Sequence, residues 1–345
     1  MIDVALQQDS AGPWMLAWRR LKHDRIAMWS LAVTLIFIVI MLASYMGVIA
    51  GNWNAEVANS YAPPTFDKVT NTTDANAPVG IPRPQAGPPV DIEDIDPLAP
   101  RYPEWRQRTA QIAAVQAQQA TRLPFGADKW GHDVLLKTIK GSEVSITVGI
   151  VAALVAVLIG TTLGALAGYF GGLTDTVLEW FYNVLTSLPY ILLILAVATV
   201  FSRGFVTIIL ILGLTGWTGI YRLVRAEYLK HTERAYVRAA QALGASHASR
   251  MFKHILPNVS HVILVQFSQH VVGFIKAEVI LSFLGLGVPV DMVSWGTILA
   301  ETQEELVIGK WWQLLAAGGS MALLVTAISL LTDAMRDALD PKLHE

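Results

Sequence analysis

The sequence predicts an all-α integral membrane protein with six transmembrane helices, and three observations lead there. The chain is 53% apolar and only 15% charged, with a mean hydropathy of +0.46, whereas soluble domains carry about 25% charged residues. Apolar runs of about 20 residues recur along it, the length that crosses a hydrocarbon core of about 30 Å at 1.5 Å per residue. The stretch Glu227 to Asn258, EYLKHTERAYVRAAQALGASHASRMFKHILPN, is a basic polar island with long apolar runs on both sides. It is therefore a loop between spans. A net charge of −2 gives no bulk attraction to nucleic acid. The absence of cysteine excludes disulfides, thiolate nucleophiles and Cys-based metal sites.

Residues 1–25 hold Arg19, Arg20, Lys22 and Arg25 ahead of the first apolar run. Positive charge before a span places this segment in the cytoplasm, and without a small-residue cleavage site the span at 26–50 stays as an anchor. Residues 51–143 form an extracytoplasmic loop with short helices. Its Pro63-Pro64, Pro82, Pro84, Pro88-Pro89, Pro97, Pro100 and Pro103 rule out long helices and central strands. Glu104 to Thr121, rich in Ala and Gln, is the exception and reads as a surface helix. A loop this long is either a solvated linker or a docking surface for a soluble partner.

Asp133 caps a short amphipathic helix that ends at Lys140. A core of five helices follows over 144–333. Val144 to Tyr169 is the second span, and Gly160, Gly164 and Gly168 put a smooth stripe on one face of it, against which another helix can pack closely. After Gly171-Gly172 comes the third span, Val177 to Phe201, kinked at Pro189. The carbonyl that a proline frees is tolerated in a membrane where it is buried in protein or lines a cavity. Phe205 to Arg222 is the fourth span, Val259 to Gly285 the fifth and Trp312 to Leu331 the sixth, with Trp311-Trp312 as an interfacial anchor. Gly285 to Gly309 is an acidic outer loop, read equally as a solvated face or as a docking edge, and 334–345 is a cytoplasmic tail.

Charge placement agrees with this topology. The segment 222–258 holds Arg222, Arg225, Lys230, Arg234, Arg238, Arg250 and Lys253 against Glu227 and Glu233, while the outer loop holds Asp291, Glu301, Glu304 and Glu305. Both termini and the island are thus expected in the cytoplasm. The two halves show no inverted repeat, which weighs against a secondary transporter.

Within the island, Tyr236 to Leu243 is a short helix centred on Ala239-Ala240. Gly244 then supplies the left-handed turn that reverses the chain. Ser246 caps a second helix running to Leu256, and Pro257 stops it or opens the next span. The product is a rigid helix-turn-helix elbow.

Ala239-Ala240, Gly244 and Leu256-Pro257 at these spacings resemble the EAA loop of binding-protein-dependent ABC importer permeases. FGADKWGHDVL before the second span, GYFGGLTD after it, SFLGLGV at Ser282 to Val288, SWG at Ser294 to Gly296 and the terminal RDALDPK resemble the second permease subunit of the dipeptide/oligopeptide/nickel family. The likeness covers nearly all of the chain except Gly51 to Leu123. The chain departs from the pattern at Arg238, where the motif opens with an acid, and at His254, where it has isoleucine. His132 and Glu143 stand at usual arginines, and Asn183 replaces a common aspartate.

The resemblance implies the ABC importer type I permease fold in a bacterial cytoplasmic (inner) membrane, with no chemistry of its own and no cofactor in this subunit. ATP and Mg2+ would be bound by partner ATPases. The implied partners are a paralogous permease subunit, two ATP-binding cassette ATPase subunits, an extracytoplasmic substrate-binding protein and membrane lipid. The implied substrates are di- or oligopeptides, with nickel chelates or another small solute as the alternative. A non-transporting membrane scaffold is the competing class. Tyr236, Arg238, Ala239, Ala240, Gly244, Ala245, Leu256 and Pro257 would couple the permease to the ATPases.

Glu278, Asn183 and Pro189 are the candidates for the translocation path. An intramembrane carboxylate is costly and faces a cavity or a partner. Glu278 therefore either lines the path or pairs with Lys276 or a neighbouring subunit. Lys276 is read as snorkelling to the outer surface. No two of His231, His247, His254, His261 and His270 stand four apart. His254 and His261 would share a face only if their helix ran unbroken past Pro257, and no metal site is expected. Neither a phosphate-binding Gly-x4-Gly-Lys-Ser/Thr loop nor a Ser/His/Asp motif occurs, and the flanking spans exclude a DNA-reading role for the elbow.

Overall fold

The computed structural model describes residues 13–66, 97–111, 122–289 and 291–339. Among these the only strand-like pairings are two isolated bridges, Glu56 with His132 and Ala127 with Asp133. The chain divides into Asn52–Leu135 and a helical unit made of Met1–Gly51 and Leu136–Glu345.

Asn52–Leu135 is held by the FGADKWGHD segment. The buried Asp128 carboxylate accepts from the amides of Trp130 (2.8 Å) and His132 (2.9 Å), and the His132 ring lies 3.1 Å from it. Gly131 stacks so closely on the Ala58 carbonyl that a Cβ there would collide with it. Asp133 accepts from the Leu135 amide at 2.8 Å, as expected of a cap. Of the helix expected at Glu104 to Thr121, α3 (Tyr102–Gln111) is present. Residues 112–121 lie outside the described residues.

In the helical unit, α1 (Pro13–His23) and α2 (Arg25–Tyr45) both pack along the final helix, α13 (Trp312–Leu339), and Asp24 caps α2 through the Ile26 amide at 2.8 Å. The long α4 (Val134–Phe170) joins the expected short helix to the second span. Gly141 does not break it. Instead Gly141 lets the segment at Ser294-Trp295 come close, with a Cβ only 3.1 Å from the Ser294 backbone.

Gly160, Gly164 and Gly168 form the expected seam. A Cβ on them would lie 2.7, 2.7 and 2.5 Å from the carbonyl oxygens of Trp217, Tyr221 and Arg225, along α8 (Thr218–Thr232). The two backbones meet with nothing between them, the closeness that small residues permit in lipid. With α7 (Phe205–Thr215), α8 carries the fourth span to Thr232, beyond the expected Arg222.

The third span is not one kinked helix. It is α5 (Gly172–Thr186) and α6 (Tyr190–Val200), bent by 82° at their break. Pro189 has no amide to donate and pushes Leu188 away from helical angles, so α5 ends before it and α6 starts after it. Among the described residues five helices are long and apolar enough to cross a membrane, or six if this bent pair is one span.

Past the elbow, α10 (His247–Ser249) continues through a π-helical turn, Arg250–Ile255, into α11 (Leu256–Phe283). Pro257 stands in the first turn of α11, the second of the two roles expected of it. The wide turn before it accommodates the ring. The outer loop expected at Gly285 to Gly309 holds α12 (Trp295–Val307), started by a capping box between Ser294 and Thr297. Two of its acids are partnered: half-buried Glu301 accepts from Lys137 Nζ at 2.6 Å, and buried Glu305 accepts from Gln313 at 3.0 Å.

Candidate functional site

The elbow begins at α9 (Ala235–Ala242). Its end is a Schellman turn, in which the Ala245 amide donates to Ala240 O at 3.0 Å and the Gly244 amide to Gln241 O at 2.9 Å. Gly244 has φ +82° with open space around it, so glycine is needed for the angle and not for room. Ser246 caps α10 by accepting from the Ser249 amide at 3.3 Å. Val237 and Ala240 turn inward and are buried, while Tyr236, Arg238, Ala239 and Gly244 are exposed and Ala245 is half-buried. Leu256 is half-buried and Pro257 exposed.

One residue of this surface was not singled out from sequence. Leu243, next to the turn glycine, is 88% exposed and is an apolar knob at the tip of a polar elbow. The signal for it was a leucine that no inward-facing helical register claims.

Hydroxyls and histidines pin the elbow to the spans. Buried Tyr228 donates to Met251 O at 3.2 Å. Tyr236 Oη lies 2.7 Å from His231 Nδ1 and accepts from Asn258 at 3.5 Å. Partial burial raises the Tyr236 phenol above its ordinary range, opposed by the Asn258 hydrogen bond and the Arg234 charge. At the end of α4, Tyr169 Oη lies 3.0 Å from His247 Nδ1, and Arg250 donates to the same nitrogen at 3.1 Å while its guanidinium sits over the Tyr169 ring. Two turns above the loop, Arg225 grips Asp175 of α5 with both forks, at 2.5 and 2.7 Å, and lies 3.6 Å from Glu179.

The path candidates separate. Glu278 is fully buried and accepts from Ser145 and Ser282, each at 2.7 Å; Ser145 Oγ in turn accepts from the Trp295 amide at 3.1 Å. This carboxylate therefore joins α4, α11 and the start of α12. Pairing with Lys276 does not occur, because two residues along a helix point to nearly opposite sides. Asn183 and Pro189 are exposed, on α5 and at the break after it. Lys276 lines a cavity of about 200 Å³ with Tyr190, Ile194 and Gly273. A neighbouring cavity of about 290 Å³ shares Tyr190 and Gly273 and adds Gln269 and His270. Sequence reasoning passed over Gln266 and Gln269, although their spacing with Gly273 and Lys276 was visible. Among the described residues no group of three or more His, Asp or Glu could hold a metal ion.

Residues 160–345 match the family described as binding-protein-dependent transport system inner membrane component, and residues 12–75 match the N-terminal TM domain of oligopeptide transport permease C. The chain belongs to this family of inner membrane components, and it is a multi-pass protein of the bacterial inner membrane, a transport subunit and not an enzyme. Its relatives include the oligopeptide transport system permease protein OppC of Bacillus subtilis, 34% identical over 248 residues covering 72% of this chain and 81% of the relative. The dipeptide transport system permease protein DppC of the same organism is 38% identical over 64% of this chain and 69% of its own length. The DppC protein of Lactococcus lactis subsp. cremoris is 30% identical over 95% of this chain and 90% of its own.

Proposed function

We propose that this chain is one permease subunit of an ABC importer for di- or oligopeptides. In this reading it pairs with a paralogous permease, two ATP-binding cassette ATPases and an extracytoplasmic binding protein. Both termini and the elbow lie in the cytoplasm, and the chain has no ATP site of its own. The relatives named above carry peptide names, which favours peptides over nickel chelates.

The observation that carries the coupling role is the construction of the elbow. A transmitting element must be stiff and must present a surface. The Schellman turn, the Ser246 cap and the Tyr228, Tyr236 and His247 contacts stiffen it, while Tyr236, Arg238, Ala239 and Leu243 face outward. Ala240 and Val237 hold the helix down from beneath.

Leu243→Asp tests this reading, since so exposed a residue contributes nothing to the packing of its own chain. Membrane insertion should be unchanged, and co-purification of the ATPases should fall about tenfold or more, the loss typical of a buried apolar anchor at an interface. Full retention of the ATPases, with hydrolysis still stimulated by loaded binding protein, would remove the elbow from the interface.

A further inference from the structure

We propose that Lys276 is a docking point, within the transmembrane part of the chain, for the C-terminal carboxylate of a peptide in transit; this rests on the peptide-importer reading above. Gln266, Gln269, Gly273 and Lys276 are spaced by three, four and three residues, so they share one face of α11. Gln269 and Lys276 are exposed, and a Cβ on Gly273 would meet nothing within 4 Å. The face is an open polar groove in a helix otherwise apolar enough to span a membrane.

Such a face cannot look into lipid without cost. A lysine and amide side chains within a span are costly to expose to lipid. Water or a polar occupant in front of the groove removes the cost. The neighbouring geometry supplies the space. The cavities of about 200 and 290 Å³ meet at Tyr190 and Gly273, beside the break at Pro189 that swings α6 aside.

The groove holds a cation with no anion to answer it. The carboxylate nearest in sequence, Glu278, points away and is occupied by two serine hydroxyls. Among the described residues Lys276 forms no ion pair or hydrogen bond. What fits a lone ammonium at one end of this groove is an extended chain ending in a carboxylate, with Gln269, two turns along the helix and joined to Gln266 at 3.1 Å, facing its backbone. The side chain is thus aimed at a solute and does not serve as the snorkelling anchor read from the sequence.

The test uses the whole transporter with its binding protein in proteoliposomes, and measures uptake of one tripeptide and of its C-terminal amide. Each rate is taken relative to wild type, so that the binding protein's own preference cancels. Lys276→Gln should lower uptake of the free acid about tenfold, the effect of one lost charge-assisted hydrogen bond, and leave the amide within about twofold. Lys276→Glu should reverse the order of the two peptides, and Lys276→Arg should retain it. An equal fall for both peptides, or no fall for either, overturns the proposal. Loss of complex assembly in Lys276→Gln that Lys276→Arg restores also overturns it, by making the lysine a subunit contact. A wild-type complex that moves neither peptide overturns the peptide reading itself, and this inference with it.

Discussion

Helices α4 and α5 are neighbours in sequence, separated only by Gly171, yet they are built for opposite ends. Along α4, three glycines bring α8 into backbone contact, and the buried Ser145 ties it to Glu278 and the Trp295 amide. Along α5 no residue is buried, and Leu173, Val177, Trp180 and Phe181 all stand exposed. The first helix is covered by its own chain along its glycine face, while Leu154 and Leu158 remain exposed on another. The second presents an apolar surface that its own chain covers only in part, held by the Arg225 clamp and by the stacking of Phe181 on Trp217 and of Tyr182 on Tyr221. One subunit therefore combines a closely packed scaffold with a limb left for assembly and movement.

The contrast can be broken most severely at the seam. Gly164→Leu would place a Cβ 2.7 Å from the Tyr221 carbonyl and 3.0 Å from Val224 Cβ before the rest of the side chain is fitted. Overpacking of this kind costs about 3 kcal/mol or more, and the thermal midpoint of the chain in detergent should fall accordingly; an unchanged midpoint would mean that α4 and α8 are not in contact. Glu278→Leu should cost less, about 2 kcal/mol, by leaving the Ser145 and Ser282 hydroxyls without their acceptor. Unchanged stability with impaired uptake would instead place this carboxylate on the translocation path. On the other limb, Trp180→Ser should change stability by no more than about 0.5 kcal/mol, as for other surface changes, and so barely move the midpoint. A large loss there would show that α5 is packed within its own chain after all.

What could be read from the residues is what local chemistry decides. The glycines at 160, 164 and 168 announced a close helix partner because their spacing matches the helical repeat. Gly244 and Ser246 announced a turn and a cap because their preferences act within a few residues. What was hidden depends on distant partners. Glu301 and Glu305 looked like solvated acids, and only Lys137 and Gln313 explain why they belong to a helix packed on others. Glu278 was legible as a costly intramembrane carboxylate, but not its partner Ser145, 133 positions earlier. Pro189 announced a disturbance, but the 82° size of the bend is set by packing and not by the ring alone. Leu243 carried no periodic signal, since its significance is to be uncovered.

The unbroken passage from α10 through the π-helical turn to the end of α11 has a mechanical meaning. His247 and Lys276 lie on one rod, separated by about 44 Å at 1.5 Å per residue. With a pivot at one end, a tilt of about five degrees would sweep the far end through about 4 Å, on the order of one side chain's width. No relay of rearranging contacts is required between elbow and groove, because a lever magnifies a small rotation by its length alone.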